Sequence, residues 1–179
     1  MTSDVLQLYK ASEIILPQLV IGTCPSLTTP VPEFNFNQVN SEFNTHDISQ
    51  TLLQFMNDNK GIGLAANQLG YPYRVFAMRG YPDNFVCFNP KIVYYSEECV
   101  LMEEGCLSFP NLIVKIKRPK DIRVRFQTPS GSVVTKQFEG LTARTFQHEM
   151  DHLDGILFYN RANKYHKDKA LKDYKHGRR

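Results

Sequence analysis

Residues 122–126 read IRVRF, and a PSG turn at residues 129–131 leads from them into SVVTKQFE. Period-two alternation, a glycine-containing turn and a second β-rich run specify an antiparallel hairpin. Upstream, Arg74 to Met78, Phe85 to Asn89 and Lys91 to Tyr95 read as further strands. Consecutive strands with few helices between them imply an α+β fold with antiparallel β-sheets. One helix is predicted over about Thr45 to Asn59, with Ile48, Leu52, Phe55 and Met56 on one face and Gly61 just beyond it. A second, over about Leu141 to Leu153, repeats Ala143, Phe146, Met150 and Leu153 at helical spacing and stops at Gly155. It is expected to be the central helix around which the sheets pack. Residues 22–40, rich in Pro, Thr and Asn, read as an irregular surface segment.

A length of 179 residues suits one domain spanning 1–179, and 42% hydrophobic with 22% charged residues is ordinary globular composition. The net charge of +3 permits contact with nucleic acid or a ribosome without demanding it. No apolar run approaches the roughly 18 residues of a membrane span. The opening MTSDVLQLYK has an early Asp4 and no basic n-region, which favours a cytoplasmic protein. Cys24, Cys87, Cys99 and Cys106 form no CxxC pair, so they are expected as reduced thiols.

Residues 148–152 read HEMDH. Positions i and i+4 of a helix share a face, so His148 and His152 are able to aim at one ion, with Glu149 beside them as a base. A bare HExxH also arises by chance, as two surface histidines. A catalytic site of this kind needs a third protein ligand. The extension HExxHxxGxxH is met at Gly155 but fails at Phe158, and no glutamate follows Glu149. His166, Asp168 and Asp173 lie in a polar tail, a poor place for a rigid ligand. Upstream, EGCLSFP offers Cys106 next to a glycine, and a thiolate suits zinc or ferrous iron. Alone, such a cysteine is more often a small buried hydrophobe; beside an incomplete HExxH it becomes the best local candidate. A third stretch, GIGLAANQ at residues 61–68, pairs glycines that allow close backbone approach with an amide donor, Gln68. A tight helix-to-strand connection would account for the glycines, less so for Gln68.

Together GIGLAANQ, EGCLSFP and QHEMDH, in this order, resemble the peptide deformylase family, whose hallmarks are GxGLAAxQ, EGCLS and QHExDH. The resemblance covers roughly residues 45–160. It implies that Cys106, His148 and His152 bind one divalent metal, Fe2+ in the cell, with Zn2+, Ni2+ or Co2+ also accepted. It implies Glu149 as general acid/base, and Gln68 with the backbone N–H of Leu107 as holders of the developing oxyanion. Backbone at Ile62 and Gly63 is implied to contact substrate, and Leu141 to wall the methionine pocket. The implied activity is removal of the N-formyl group from N-formylmethionyl peptides. The family's usual DPxLR-like opening is here TCPSLTTPVPEF, a departure on the substrate side. Arg144 is expected to be exposed or salt-bridged rather than part of the pocket, and Glu104 to pair with Arg118 beside the cysteine.

Two rival readings remain: a zinc peptidase, which the missing downstream ligand disfavours, and a metal-stabilised binding module. Residues 163–179, NKYHKDKALKDYKHGRR, are expected as a basic C-terminal helix or tail, either solvated or in transient contact with a ribosome. Neither membrane nor DNA is expected as a partner.

Overall fold

A computed structural model describes residues 18–38 and 44–177. The N-terminal residues 1–17 read for targeting signals, residues 39 and 40 of the irregular segment, and Arg178 and Arg179 of the tail lie outside the described residues.

The elements, in chain order, are α1 (Pro25–Thr28), α2 (Thr45–Asp58), β1 (Gly63–Ala65), β2 (Val75–Met78), β3 (Phe85–Tyr95), β4 (Cys99–Cys106), β5 (Phe109–Pro119), β6 (Asp121–Gln127), β7 (Val133–Glu139), α3 (Gly140–Leu153) and α4 (Lys164–Lys175). Short 3-10 turns lie at Phe36–Gln38, Ala66–Leu69 and Phe158–Arg161. Five strands form a sheet in the order β1-β2-β3-β6-β7, and β4 and β5 pair separately. Every pairing is antiparallel, as the alternating strands imply.

Alternation along β2 shows how the core is divided. Phe76 and Met78 join a cluster with Ile122, Val124, Phe146 and Leu153, on the α3 side. Val75 and Ala77 join Ile48, Leu52, Met56 and Phe88, on the α2 side. The sheet therefore buries both faces here, which explains why β2 is apolar throughout. Phe76 and Phe146 meet edge to face, 5.0 Å between centroids. Fully burying side chains of this size stabilises by about 1.5–3 kcal/mol each. A third cluster places Leu112, Val114 and Ile116 of β5 against Leu27 and Phe158.

The β6–β7 hairpin and the helices follow the sequence reading closely. Three features differ. The stretches Phe85–Asn89 and Lys91–Tyr95 form one strand, not two: the register shifts between Phe88 and Lys91, with Asn89 at φ 48°. A bulge at that point accommodates Pro90, which has no N–H to donate. Strands β4 and β5 have no counterpart among the strand ranges read from the sequence. The irregular segment contains α1, whose Leu27 is fully buried. The basic tail forms α4, capped by the Asn163 side chain, which accepts from His166 N at 2.9 Å. Among the described residues no helix is long and apolar enough to cross a membrane.

Candidate active site

Helix α3 leaves β7 directly, through Gly140 at φ 57°. All residues from Ala143 to Leu153 are buried, including seven polar or charged ones. Buried polar groups need partners, and β4 and β5 supply most of them. Arg118 donates to both Glu104 oxygens (2.7 and 2.9 Å) and to Asp151 Oδ2 (2.7 Å). Arg161 covers the other Asp151 oxygen at 2.7 Å. Gln147 donates to Pro119 O at 3.0 Å. Arg144 donates to Glu104 Oε1 (2.8 Å), Ile116 O (2.9 Å) and Val100 O (2.5 Å).

This network positions His148, whose Nδ1 lies 3.0 Å from Glu104 Oε2. The ring's other nitrogen is left for the cavity. Burial works to raise the Glu104 carboxyl, but hydrogen bonds from His148 and Arg118 outweigh it and hold the group well below the usual carboxylate range. His152, one turn on, is buried with Nε2 3.2 Å from Cys106 Sγ. Cys106 ends β4, where the register shifts and a two-residue turn, Leu107–Ser108, leads into β5. Cys106, His148 and His152 each offer one ligand atom, and these lie within 4.8 Å of one another. A thiol and two imidazoles are a donor set that fits zinc or ferrous iron. Glu104 on His148 is the outer partner that such a ligand usually has.

Glu149 is buried beside the cluster, and its Oε2 has no hydrogen-bond partner among the described residues. Burial pushes its carboxyl up to about 7. Gly63 makes room for it, because a Cβ there would lie 2.8 Å from Glu149 Cδ. Gln68 is buried in the Ala66–Leu69 turn; its Oε1 accepts from Ala65 N at 2.9 Å, and its Nε2 donates to Ser108 Oγ at 3.0 Å. The same nitrogen reaches Cys106 Sγ at 3.6 Å.

A cavity of about 530 Å³ opens onto these groups, within the ~300–1,000 Å³ typical of ligand sites. Ile62, Gly63, Gln68, Cys106, Leu107, Leu141, His148 and Glu149 all line it. His152 does not; it sits behind Cys106. Both histidines are buried, so the surface-histidine alternative fails. Glu104 and Arg118 pair as expected. The reading of Arg144 holds in part: it is salt-bridged to Glu104, but it is buried and lines the cavity. The reason is that β4 and β5 cover the helix face that periodicity alone leaves to solvent. Leu19, Ile21 and Asn67 were not singled out from sequence. Asn67 is buried and donates to Ser26 O (2.9 Å) and His152 O (2.7 Å). Its position inside GIGLAANQ was the available signal.

An antiparallel α+β fold that brings a thiol, two imidazoles and an acid carboxyl together at one cavity, with the second imidazole behind the thiol, defines a hydrolase-type site with the donors for one divalent ion. The chain belongs to the polypeptide deformylase family, whose sequence profile matches residues 24–168. It is 36% identical over 166 residues to the peptide deformylase of Caulobacter vibrioides, covering 89% of this chain and 91% of that one. It is similar to the crystal structure of a peptide deformylase from Synechococcus elongatus in complex with actinonin, at 30% identity and a TM-score of 0.80, covering 93% and 89% of the two chains. The Met-Ala-Ser-bound class I type b peptide deformylase from Acinetobacter baumannii gives 30% identity and a TM-score of 0.76, covering 83% of this chain and 99% of that one. Membership makes the protein a hydrolase and implies removal of the N-formyl group from nascent peptides.

Proposed function

We propose that residues 1–179 form one catalytic domain, with antiparallel sheets around the helix that carries HEMDH, and that it hydrolyses the formamide of N-formylmethionyl peptides. The observation that carries this reading is the convergence of Cys106, His148 and His152 beside the buried, unpaired Glu149 oxygen. Cys106, His148 and His152 would hold one divalent ion, Fe2+ in the cell, with Zn2+, Ni2+ or Co2+ as substitutes. When bound, that ion would supply Lewis acidity, lowering the pKa of a water molecule towards neutrality.

The chain's own groups do the rest. Glu149 takes the proton of the attacking water at Oε2, and a carboxyl of about 7 is matched to that task near neutrality. Oxygen adds to the formyl carbon, and negative charge grows on the formyl oxygen. The Gln68 amide and the Leu107 N–H face that charge, each such donor contributing on the order of 3 kcal/mol of barrier. Glu149 returns its proton to the departing amine nitrogen, leaving formate and a free N-terminus. Ile62 and Gly63 would align the peptide, and Leu141 would wall the methionine side chain. The Met-Ala-Ser complex of the Acinetobacter baumannii relative is in keeping with a peptide ligand.

The test is anaerobic incubation of the ferrous-loaded protein with formyl-Met-Ala and with unformylated Met-Ala. Formate release from the first, with no cleavage of the second, is expected; peptide-bond cleavage without formate would instead mark a peptidase. A cytoplasmic location, and transient ribosome contact through the basic segment 163–179, complete the reading. Its support is that α4 presents five lysines and buries no residue. A chain ending at Asn163 should co-sediment less with ribosomes at low salt; unchanged co-sedimentation would remove that part.

A further inference from the structure

Seven Ile, Leu or Val side chains stand exposed among the described residues: Ile21, Ile62, Val93, Leu101, Ile113, Val133 and Leu141. Four of the seven line the one cavity at the candidate active site: Ile21 (57% exposed), Ile62 (46%), Ile113 (52%) and Leu141 (56%). They come from four separate segments of the chain. Single exposed aliphatics need no explanation, but a cluster around a cavity marks a recognition surface.

Two of the four are held in place by contacts that reach the catalytic segments. The backbone around Ile21 threads between GIGLAANQ and EGCLSFP: Val20 N donates to Gln68 O and Gly22 N to Ser108 O, both at 2.7 Å. Ile21 is thereby fixed between two hydrogen bonds, and Leu19 lines the cavity with it. This segment precedes residue 24, where the match to the family profile begins. Ile113, on β5, reaches across to Gly105, where its Cδ1 lies 2.9 Å from the position a Cβ would take. It therefore stands beside Cys106 at the opposite flank. The exposed charges that line the cavity, Lys60 and Glu103, have opposite signs, and Glu103 already lies 4.0 Å from Lys115.

We propose that the open end of the cavity selects apolar side chains in the peptide beyond its N-terminal methionine, with Ile21 and Ile113 as specificity-determining residues. The proposal rests on the deformylase reading above. An apolar side chain against Ile21 and Ile113 removes water from aliphatic surface on both partners, whereas a polar one there gives up hydration against aliphatic groups that offer it no hydrogen bond. The contact lies away from the reacting carbon, so it is made equally in ground and transition states and should appear in KM.

The test compares formyl-Met-Leu-Leu with formyl-Met-Asn-Asn on the metal-loaded enzyme, following formate release. The wild type should favour the first by about tenfold in kcat/KM, the low end of what small apolar differences give in a closed pocket. The preference should reside in KM. Ile21→Ser and Ile113→Ser should each narrow the ratio, and the double variant should bring it close to unity. Val133→Ser, an equally exposed aliphatic outside the cavity, serves as the surface control and should keep the wild-type ratio. Thermal melts of all variants check that the fold is retained. Equal kcat/KM for the two peptides in the wild type, or a ratio that survives the double variant, overturns the proposal. Absence of formate from both peptides is a different outcome: it overturns the deformylase reading itself, and the proposal with it.

Discussion

Helices α3 and α4 are similar in length, 14 and 12 residues, and both are rich in polar side chains. In α3 eleven residues are buried; in α4 none is. Several polar groups of α3 are bound by residues far away in sequence, Glu104 to His148 and Arg118 to Asp151. The ion pairs of α4 run within the helix, Lys164 with Asp168 and Lys169 with Asp173, while Lys167 donates to Asn160 just outside it. Ala170 and Leu171 give α4 its partial purchase on the β5 cluster. Buried polar groups cost stability unless they are bound; on α3 the exceptions among the described residues are Glu149 Oε2 and His152 Nδ1, both at the candidate site. α3 therefore carries a rigid, pre-positioned set of chemical groups, while α4 carries charge that solvent screens.

Substitutions should separate the two helices sharply. The largest effect is expected at Glu149→Gln, which keeps the volume and removes the base: kcat for formyl-Met-Ala should fall on the order of 10²–10⁴-fold. Metal content and melting temperature should stay near wild type, as measured by atomic emission and calorimetry. Retained turnover would move the base elsewhere. Next is Arg118→Ala, which removes the buried guanidinium that Glu104 and Asp151 share, leaving Glu104 to Arg144 and His148, and Asp151 to Arg161. Urea unfolding should show a loss of about 3–5 kcal/mol. A loss under 1 kcal/mol would mean that the network is no more binding than the pairs on α4.

Gly63→Ala comes third. The added methyl must displace the Glu149 carboxylate, and a misplacement of about 1 Å costs roughly 10²-fold in rate. Its kcat/KM should drop with little change in metal content. The smallest effect belongs to α4. Lys169→Ala should change stability by no more than about 0.5 kcal/mol, because the pair with Asp173 is solvent-exposed. A larger loss would show that α4 is held to the body more firmly than its exposure indicates.

The difference between the helices also marks what the sequence could and could not reveal. The helical period of Ala143, Phe146, Met150 and Leu153 located α3 and one buried face. It said nothing of the opposite face, which is buried only because β4 and β5 cover it. Those strands carry a signal: Leu112, Val114 and Ile116 alternate inward along β5. Exposed Ile113 and buried Arg118 blur that alternation, the first by lining the cavity and the second by bracing Glu104. Cys106 was weak on local grounds because its partners lie some forty residues away. Its proximity to His152 is a product of topology, and only the likeness of three ordered motifs anticipated it. Ile21 and Leu19 had no comparable signal, since their place in the cavity depends on backbone hydrogen bonds to Gln68 and Ser108.

The account turns on three side chains sharing one ion, and metal-edge X-ray absorption on the zinc-loaded protein reads that directly. One sulfur at about 2.3 Å and two imidazole nitrogens at about 2.0–2.1 Å are expected, with the sulfur shell gone in Cys106→Ser. A spectrum of the wild type without sulfur, or one unchanged by that substitution, would contradict the assignment.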